Sequence, residues 1–158
     1  MLQHYFIKNK RIIFKKKRLV VVLSEGEKKF AQVGHLKEGN YVLIDGFVCQ
    51  IRQVEKSKPG KHGAAKARIT AIGVFDDSKR QLLKGTGDDT EVPIIERGSA
   101  QVVAIVGDSL SMMNLSTYET REVPKPKDVS GIQQGDEVEF IKWGDNYRVL
   151  RKRGSSTE

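Results

Sequence analysis

Lys58-Pro59-Gly60-Lys61-His62-Gly63 lies between two runs that alternate apolar and polar residues. Before it, Phe47, Cys49 and Ile51 alternate with Val48, Gln50 and Arg52. After it, Ala65, Ala67, Ile69 and Ala71 alternate with Lys66, Arg68 and Thr70. Period two over this length predicts two antiparallel strands, each with one apolar and one polar or cationic face. Pro59 pre-sets φ for the second position of a turn, and Gly60 supplies the positive φ that the third position of a type II turn requires. Lys58 and Lys61 therefore flank the turn. Gly63, Ala64 and Ala65 keep bulk away from the tip, so that Lys61 projects outward and another surface can approach the backbone. The prediction is a β-hairpin with Lys61 at its exposed end.

Working outward, the stretch from about Gly26 to Val92 holds short runs at Asn40–Ile44, Phe47–Glu55, Ala65–Phe75 and Gln81–Lys84. Asp45-Gly46 and Asp76-Asp77-Ser78 are turn signals between them. Short strands at this spacing predict a small barrel. Gly85-Thr86-Gly87-Asp88-Asp89 is expected to be a flexible, solvated acidic connector. Val92-Pro93 marks the domain boundary, because proline cannot donate to a sheet ladder. Five further strands are expected beyond it, at Gln101–Val106, Leu110–Leu115, Tyr118–Val123, Val138–Lys142 and Tyr147–Leu150. Five strands in about sixty residues fit an OB-type barrel. The expected division is a basic extension over 1–24, a first barrel over 25–92, a second over 93–153 and a tail over 154–158.

Charge sharpens this picture. The net charge of +8 over 158 residues invites a nucleic-acid reading. Seven basic residues and no acidic one fall within 1–24, which leaves 21 basic against 20 acidic in the rest. From Lys56 to Arg68 there are five basic residues and no acidic one, whereas from Val92 onward there are 9 basic against 10 acidic. The positive field is thus concentrated on the hairpin. Three readings of the segment 1–23 stay open: a disordered basic arm that adds RNA affinity, a targeting segment, or a stretch that is not native. The targeting reading is disfavoured by the lack of Ser before Ser24. The last is the preferred expectation, because a start assigned too early would produce such a tail.

No catalytic constellation is visible. His4, His35 and His62 are isolated, no Cys/His spacing suits a metal, and no G-x-x-x-x-G-K-[ST] run cradles phosphate. Cys49 alternates onto the apolar face and is expected to be a small core residue; as the single cysteine it excludes an internal disulfide. The longest early apolar run, Leu19–Leu23, is far short of the ~20 residues of a membrane helix. A non-enzymatic protein of the cytoplasm is expected.

Ser57-Lys58-Pro59-Gly60-Lys61-His62-Gly63-Ala64-Ala65-Lys66 resembles the hypusine loop of archaeal and eukaryotic translation factor 5A, most closely the archaeal type. The resemblance runs from about Lys29 to Arg153. It includes Phe30–Gly34, Leu36–Gly39, Tyr41–Gly46, Gly73–Asp76, Glu91–Ile95, Ala100–Val103 and Leu115–Thr120. Pro59 stands where Thr is common and Ala64 where Ser or His is common, departures that bear on loop geometry and leave the lysine in place. The third domain of the bacterial relative, elongation factor P, is not expected.

The resemblance implies an all-β chain, an N-terminal SH3-like barrel followed by a C-terminal OB-fold barrel. It implies that Lys61 receives an aminobutyl group derived from spermidine, as deoxyhypusine or hypusine, from deoxyhypusine synthase. No other cofactor and no metal are implied. The implied partners are the ribosome, through its rRNA near the tRNA exit site, and the P-site tRNA. There the side chain would promote slow peptide-bond formation, as at proline-rich sequences. Lys58, Gly60, His62, Gly63, Lys66 and Arg68 are the further residues expected to meet RNA, on a monomer without membrane contact. The alternative is an unmodified RNA-binding or RNA-chaperone module that uses the OB barrel, with Phe140, Trp143 and Tyr147 as candidate stacking aromatics.

Overall fold

The structure is a computed structural model that describes residues 25–61 and 63–154, together with the backbone of 3–7, 10–15 and 18–22. Close contacts divide the chain into one unit from Glu27 to Ile94 and a second that contains Ile95 onward together with the N-terminal segment. The division falls two residues beyond the Val92-Pro93 position read from the sequence.

In the N-terminal segment, β1 (Gln3–Ile7), β2 (Lys10–Lys15) and β3 (Arg18–Val22) pair antiparallel in that order. The register sets Ile12 opposite Val21 and Ile13 opposite Val20, residues of high strand propensity. Backbone pairing thus occurs where an unstructured arm was among the expectations.

The first unit begins with β4 (Lys28–Gln32) and a 3-10 turn at Val33–His35. Then come β5 (Tyr41–Ile44), β6 (Phe47–Ser57), β7 (Lys66–Gly73), β8 (Lys79–Gly85) and β9 (Asp89–Pro93). Strands β5 to β8 form an antiparallel sheet in sequence order; β4 pairs β9, and β9 packs beside β5 to close the barrel. This is an SH3-like barrel. The β5–β6 connection is the Asp45-Gly46 turn, with φ of 53° and 81°. Positive φ at both central residues gives the type I′ hairpin that an Asp-Gly pair favours. Val33, Val42, Ile44, Cys49, Ile51, Ala67, Ile69 and Ala71 fill the core.

Two details of β6 differ from simple alternation. Phe47 is half exposed while Val48 is buried. The Phe47 ring is covered from outside by the Arg80 guanidinium, 3.9 Å from the ring centroid. Arg80 is itself held by Asp76 through two bonds of 3.0 and 2.6 Å. Further along, the β6–β7 register shifts between Ile51 and Gln53, which leaves Arg52 as an extra residue. The bulge resets the face, so that Ile51 is buried and Val54, not Gln53, packs against the core.

The second barrel consists of β10 (Glu96–Val106), β11 (Ser109–Asn114), β12 (Thr120–Pro124), β13 (Glu137–Trp143) and β14 (Asn146–Lys152). Their spatial order is β12-β11-β10-β13-β14, with β12 approaching β14 to close the OB fold. Long β10 serves both sides of the sheet: Ala100 faces Asn114 of β11 and Val138 of β13. Ala100, Val102, Leu110, Met112, Val123, Ile132, Val138, Phe140 and Val149 are its core. Among the described residues no helix is long and apolar enough to cross a membrane.

Candidate functional site

The β6–β7 ladder runs to Ser57 opposite Lys66, so residues 58–65 form the connection. Gly60 has φ +68°, the left-handed conformation that favours glycine, and the turn includes Gly60 and Lys61 but not Pro59, a shift from the Pro59-Gly60 centre read from the sequence. A Cβ at Gly60 would point into open space, so backbone conformation alone selects glycine there. Gly63 answers a different need. A Cβ on it would collide with the Pro59 carbonyl oxygen and lie 2.9 Å from Pro59 Cγ. The loop folds back on itself, and only glycine lets its two limbs meet.

Lys58 and Lys61 are exposed at this turn, and Lys66 and Arg68 are exposed on the outward face of β7. None of the four has an ion-pair partner among the described residues. Glu55 stands across the ladder from Arg68 and accepts a 2.9 Å bond from Gln53 Nε2. His62 lies outside the described residues. The structure therefore brings Lys58, Gly60, Lys61 and Gly63 together in one turn and places Lys66 and Arg68 along the strand that leaves it.

The base of the hairpin is fastened by a segment that the sequence reading treated as a solvated connector. Thr86 N–H donates to Ala65 O at 2.9 Å, and Thr86 O accepts from Gly34 N–H at 2.8 Å. Val33 N–H donates to Asp88 O at 2.9 Å. Lys56 Nζ donates to Gly34 O at 2.8 Å. Asp88 turns its carboxylate inward, accepting from Gly85 N–H at 2.9 Å. Residues 85–88 thus link the 3-10 turn to the hairpin. Backbone groups do most of this work, which is why composition alone did not disclose it. Gln32, His35, Lys56 and Thr86 converge here; the sequence singled out Lys56 only as part of the basic run and His35 only as an isolated histidine.

The second barrel has the opposite electrostatics. The cations of β13 and β14 are paired: Arg151 with Glu139 at 2.7 Å, Lys152 with Asp136 at 2.9 Å, Arg148 with Asp128 at 3.1 Å and Lys142 with Glu96 at 3.2 Å. The hydrogen bond from Arg151 holds the Glu139 carboxyl below the usual range, and the one from Lys152 does the same for Asp136. Phe140 and Trp143 are buried, and Tyr147 is half buried with its ring 5.6 Å from that of Phe140. Phe140 belongs to the core of the barrel and Tyr147 packs against it, while Trp143 is buried outside that core, so none of the three is a fully open stacking aromatic. Burial raises the Cys49 thiol above its ordinary range, as expected of a core cysteine. Among the described residues no group of His, Cys, Asp and Glu is arranged to hold a metal.

An SH3-like barrel that carries a glycine-braced lysine turn, followed by an OB barrel, is the architecture this chain shares with proteins named as translation factors. The family model described as "Translation initiation factor 5A-like, N-terminal" matches residues 27–87. Translation initiation factor 5A of Methanocaldococcus jannaschii is 47% identical over 126 residues, 80% of this chain and 96% of that protein. The protein of the same name from Pyrobaculum arsenaticum is 46% identical over 127 residues, 78% of this chain and 96% of its own length. Among solved structures, eukaryotic translation initiation factor 5A from Methanococcus jannaschii superposes with a TM-score of 0.76 at 44% identity, covering 85% of this chain and 99% of that one. A factor of the same family from Naegleria fowleri gives 0.63 at 28% identity, covering 80% and 99%. The chain belongs to the translation initiation factor 5A family, of the archaeal type.

Proposed function

We propose that this translation factor acts on the ribosome through a modified Lys61. The observation that carries the reading is the position of Lys61: exposed, in a turn whose Gly60 requires positive φ, and without an ion-pair partner among the described residues. Lysine in such a place is open to an enzyme that must enclose its ammonium. Transfer of an aminobutyl group from spermidine by deoxyhypusine synthase lengthens the arm and adds a second amine. The product, deoxyhypusine or its hydroxylated form hypusine, presents two separated charges with hydrogen-bond donors. Such an arm reaches phosphates and ribose hydroxyls in a narrow RNA cleft closed to ordinary lysine.

On this reading the protein enters from the tRNA exit site and contacts rRNA and the P-site tRNA. The arm steadies the acceptor end when peptide bonds form slowly, notably between prolines. Its contribution is orientation of the reactants, which accelerates the reaction without any acid or base from this chain. On the same reading the protein is a non-enzymatic, cofactor-free monomer of the cytoplasm. Lys58, His62, Lys66 and Arg68 meet neighbouring phosphates, and Gly60 and Gly63 permit close approach. The test is the intact and tryptic mass of protein purified from its native cells. One added aminobutyl group on the peptide holding Lys61, with or without an oxygen, is expected. Fully unmodified Lys61 in growing cells overturns the proposal.

A further inference from the structure

Strand β4 pairs β9 along one edge, and among the described residues no strand pairs its other edge. Two bonds that bracket β4 fix which groups the open edge presents. Ile94 N–H donates to Glu27 O at 2.8 Å, and Val33 N–H donates to Asp88 O at 2.9 Å. Bonded and non-bonded pairs alternate along an antiparallel ladder. Lys29 opposite Val92 and Ala31 opposite Thr90 are therefore the bonded pairs between them, and Lys28, Phe30 and Gln32 turn their N–H and C=O groups away from β9. Pro93, which has no N–H, stands opposite Lys28, where β9 needs no donor toward β4. The open edge lacks two of the usual protections: β4 holds no proline, and its pairing has no bulge. Its middle residue, Phe30, is 70% exposed, although Ala31 beside it packs against the core. So exposed a ring contributes little to the barrel's own interior.

We propose that β4 is a docking edge for an extended segment of a partner protein, one that alternates apolar and acidic residues. The edge itself selects the class of partner. A donor and an acceptor recur at every second residue, about 7 Å apart, a repeat that another extended polypeptide matches. A phosphate backbone offers acceptors alone and leaves the Phe30 carbonyl unanswered. Side chains select the sequence. An apolar residue of the incoming strand packs on the Phe30 ring as a cross-strand pair. Lys29 alternates onto the opposite face, exposed and without an ion-pair partner among the described residues, and calls for a carboxylate there. Lys28, on the Phe30 face, is already paired with Glu91 at 2.8 Å, so the acidic residues belong on the Lys29 face. Main-chain bonds supply the affinity, and Phe30 and Lys29 supply the preference. Docking here does not depend on Lys61.

The test uses the full chain, isotope-labelled for NMR, with the acetylated and amidated heptapeptide Glu-Val-Glu-Val-Glu-Val-Glu as the probe. In the protein alone, amide hydrogen exchange is expected to be fast at Phe30 and Gln32 and slow at Lys29 and Ala31. Peptide at about three times its half-saturating concentration should slow exchange at Phe30 about fourfold and shift the Phe30 and Gln32 amide signals. Phe30→Ala is expected to weaken binding about 2- to 5-fold. Lys29→Gln should remove most of its salt dependence. Both residues are exposed, and a thermal melt checks the fold of each variant. The same peptide methylated at every backbone nitrogen keeps the charge, loses the donors and should leave the edge empty.

Slow exchange at Phe30 in the monomeric protein alone would show that the edge is already covered within the chain, and overturns the proposal. Equal binding of the methylated peptide does the same, because the contact would then be charge without strand pairing. A titration to millimolar peptide that leaves the Phe30 and Gln32 signals unmoved also overturns it. Protection at Phe30 that rises with protein concentration, together with self-association in sedimentation, assigns the edge to a second copy of the chain and defeats the peptide assignment. Protection by deacylated tRNA and not by the peptide assigns it to RNA, with the same consequence.

Discussion

Replacing Lys61 with arginine separates the fold from the function more cleanly than any other single change. The side chain is exposed and makes no ion pair among the described residues, so folding loses no contact with it. Its backbone is not among the positive-φ positions, so arginine fits without strain. Surface changes of this kind alter stability by no more than about 0.5 kcal/mol. For a barrel of this size, that corresponds to a Tm shift of roughly 2–4 °C at most. The cation is preserved, and so is the salt-dependent attraction to RNA. What is lost is a primary amine that can accept an aminobutyl group. On the proposed function, stimulation of peptide-bond formation at consecutive prolines should fall by at least about tenfold, the factor that corresponds to 1.4 kcal/mol of lost transition-state stabilisation. The assay is the single-turnover rate of Pro–Pro bond formation with saturating factor, alongside a thermal melt and intact mass. A variant that melts normally, carries no modification and still accelerates the bond like the parent would refute the reasoning, since bare cationic charge would then suffice.

Three further outcomes follow from particular contacts. Gly98→Ala places a Cβ 2.5 Å from Phe140 Cζ and 2.9 Å from Cε1 inside the second barrel, so about 1–3 kcal/mol of destabilisation is expected. Combined with Phe140→Leu it should cost less than the sum of the single changes, and additive urea midpoints would show that the two positions do not clash. Gly34→Ala sets a Cβ 2.8 Å from Thr86 O, the carbonyl that accepts the Gly34 N–H; hydrogen exchange of the residue-34 amide should accelerate severalfold while the β10–β14 amides keep their rates. The hydrogen bonds from Arg80 hold the Asp76 carboxyl below its ordinary value of 3.8. A depressed carboxyl contributes stability above its unfolded pKa and loses it as pH falls through the folded one. Asp76→Asn should accordingly flatten the decline of urea stability below about pH 4; an unchanged acid slope would show that the Arg80 pair contributes nothing to it.

Much of this protein was legible as pattern. Alternation around Lys58–Gly63 defined the hairpin, because a strand exposes its faces with period two. Gly60 announced a positive φ, because that preference is intrinsic to glycine, although the turn includes Lys61 and not Pro59. Asp45-Gly46 announced a turn, and the positive φ at both residues made it type I′. The two barrels, and membership of the translation initiation factor 5A family, were likewise available from residue order. Other features arose only when distant segments met. The bulge that turns Val54 inward, and the guanidinium of Arg80 that covers Phe47, depend on strand partners, and alternation within one strand cannot encode them. Residues 85–88 were read as a solvated connector, yet through backbone N–H and C=O groups, which every residue carries, they bind the 3-10 turn to the hairpin. Gln32, His35 and Thr86 stand far from Lys58 in sequence and meet only when barrel closure brings them to the root of the lysine turn. Side-chain chemistry and local backbone preference are written residue by residue; the juxtaposition of backbone groups and of remote side chains is a property of the closed barrel.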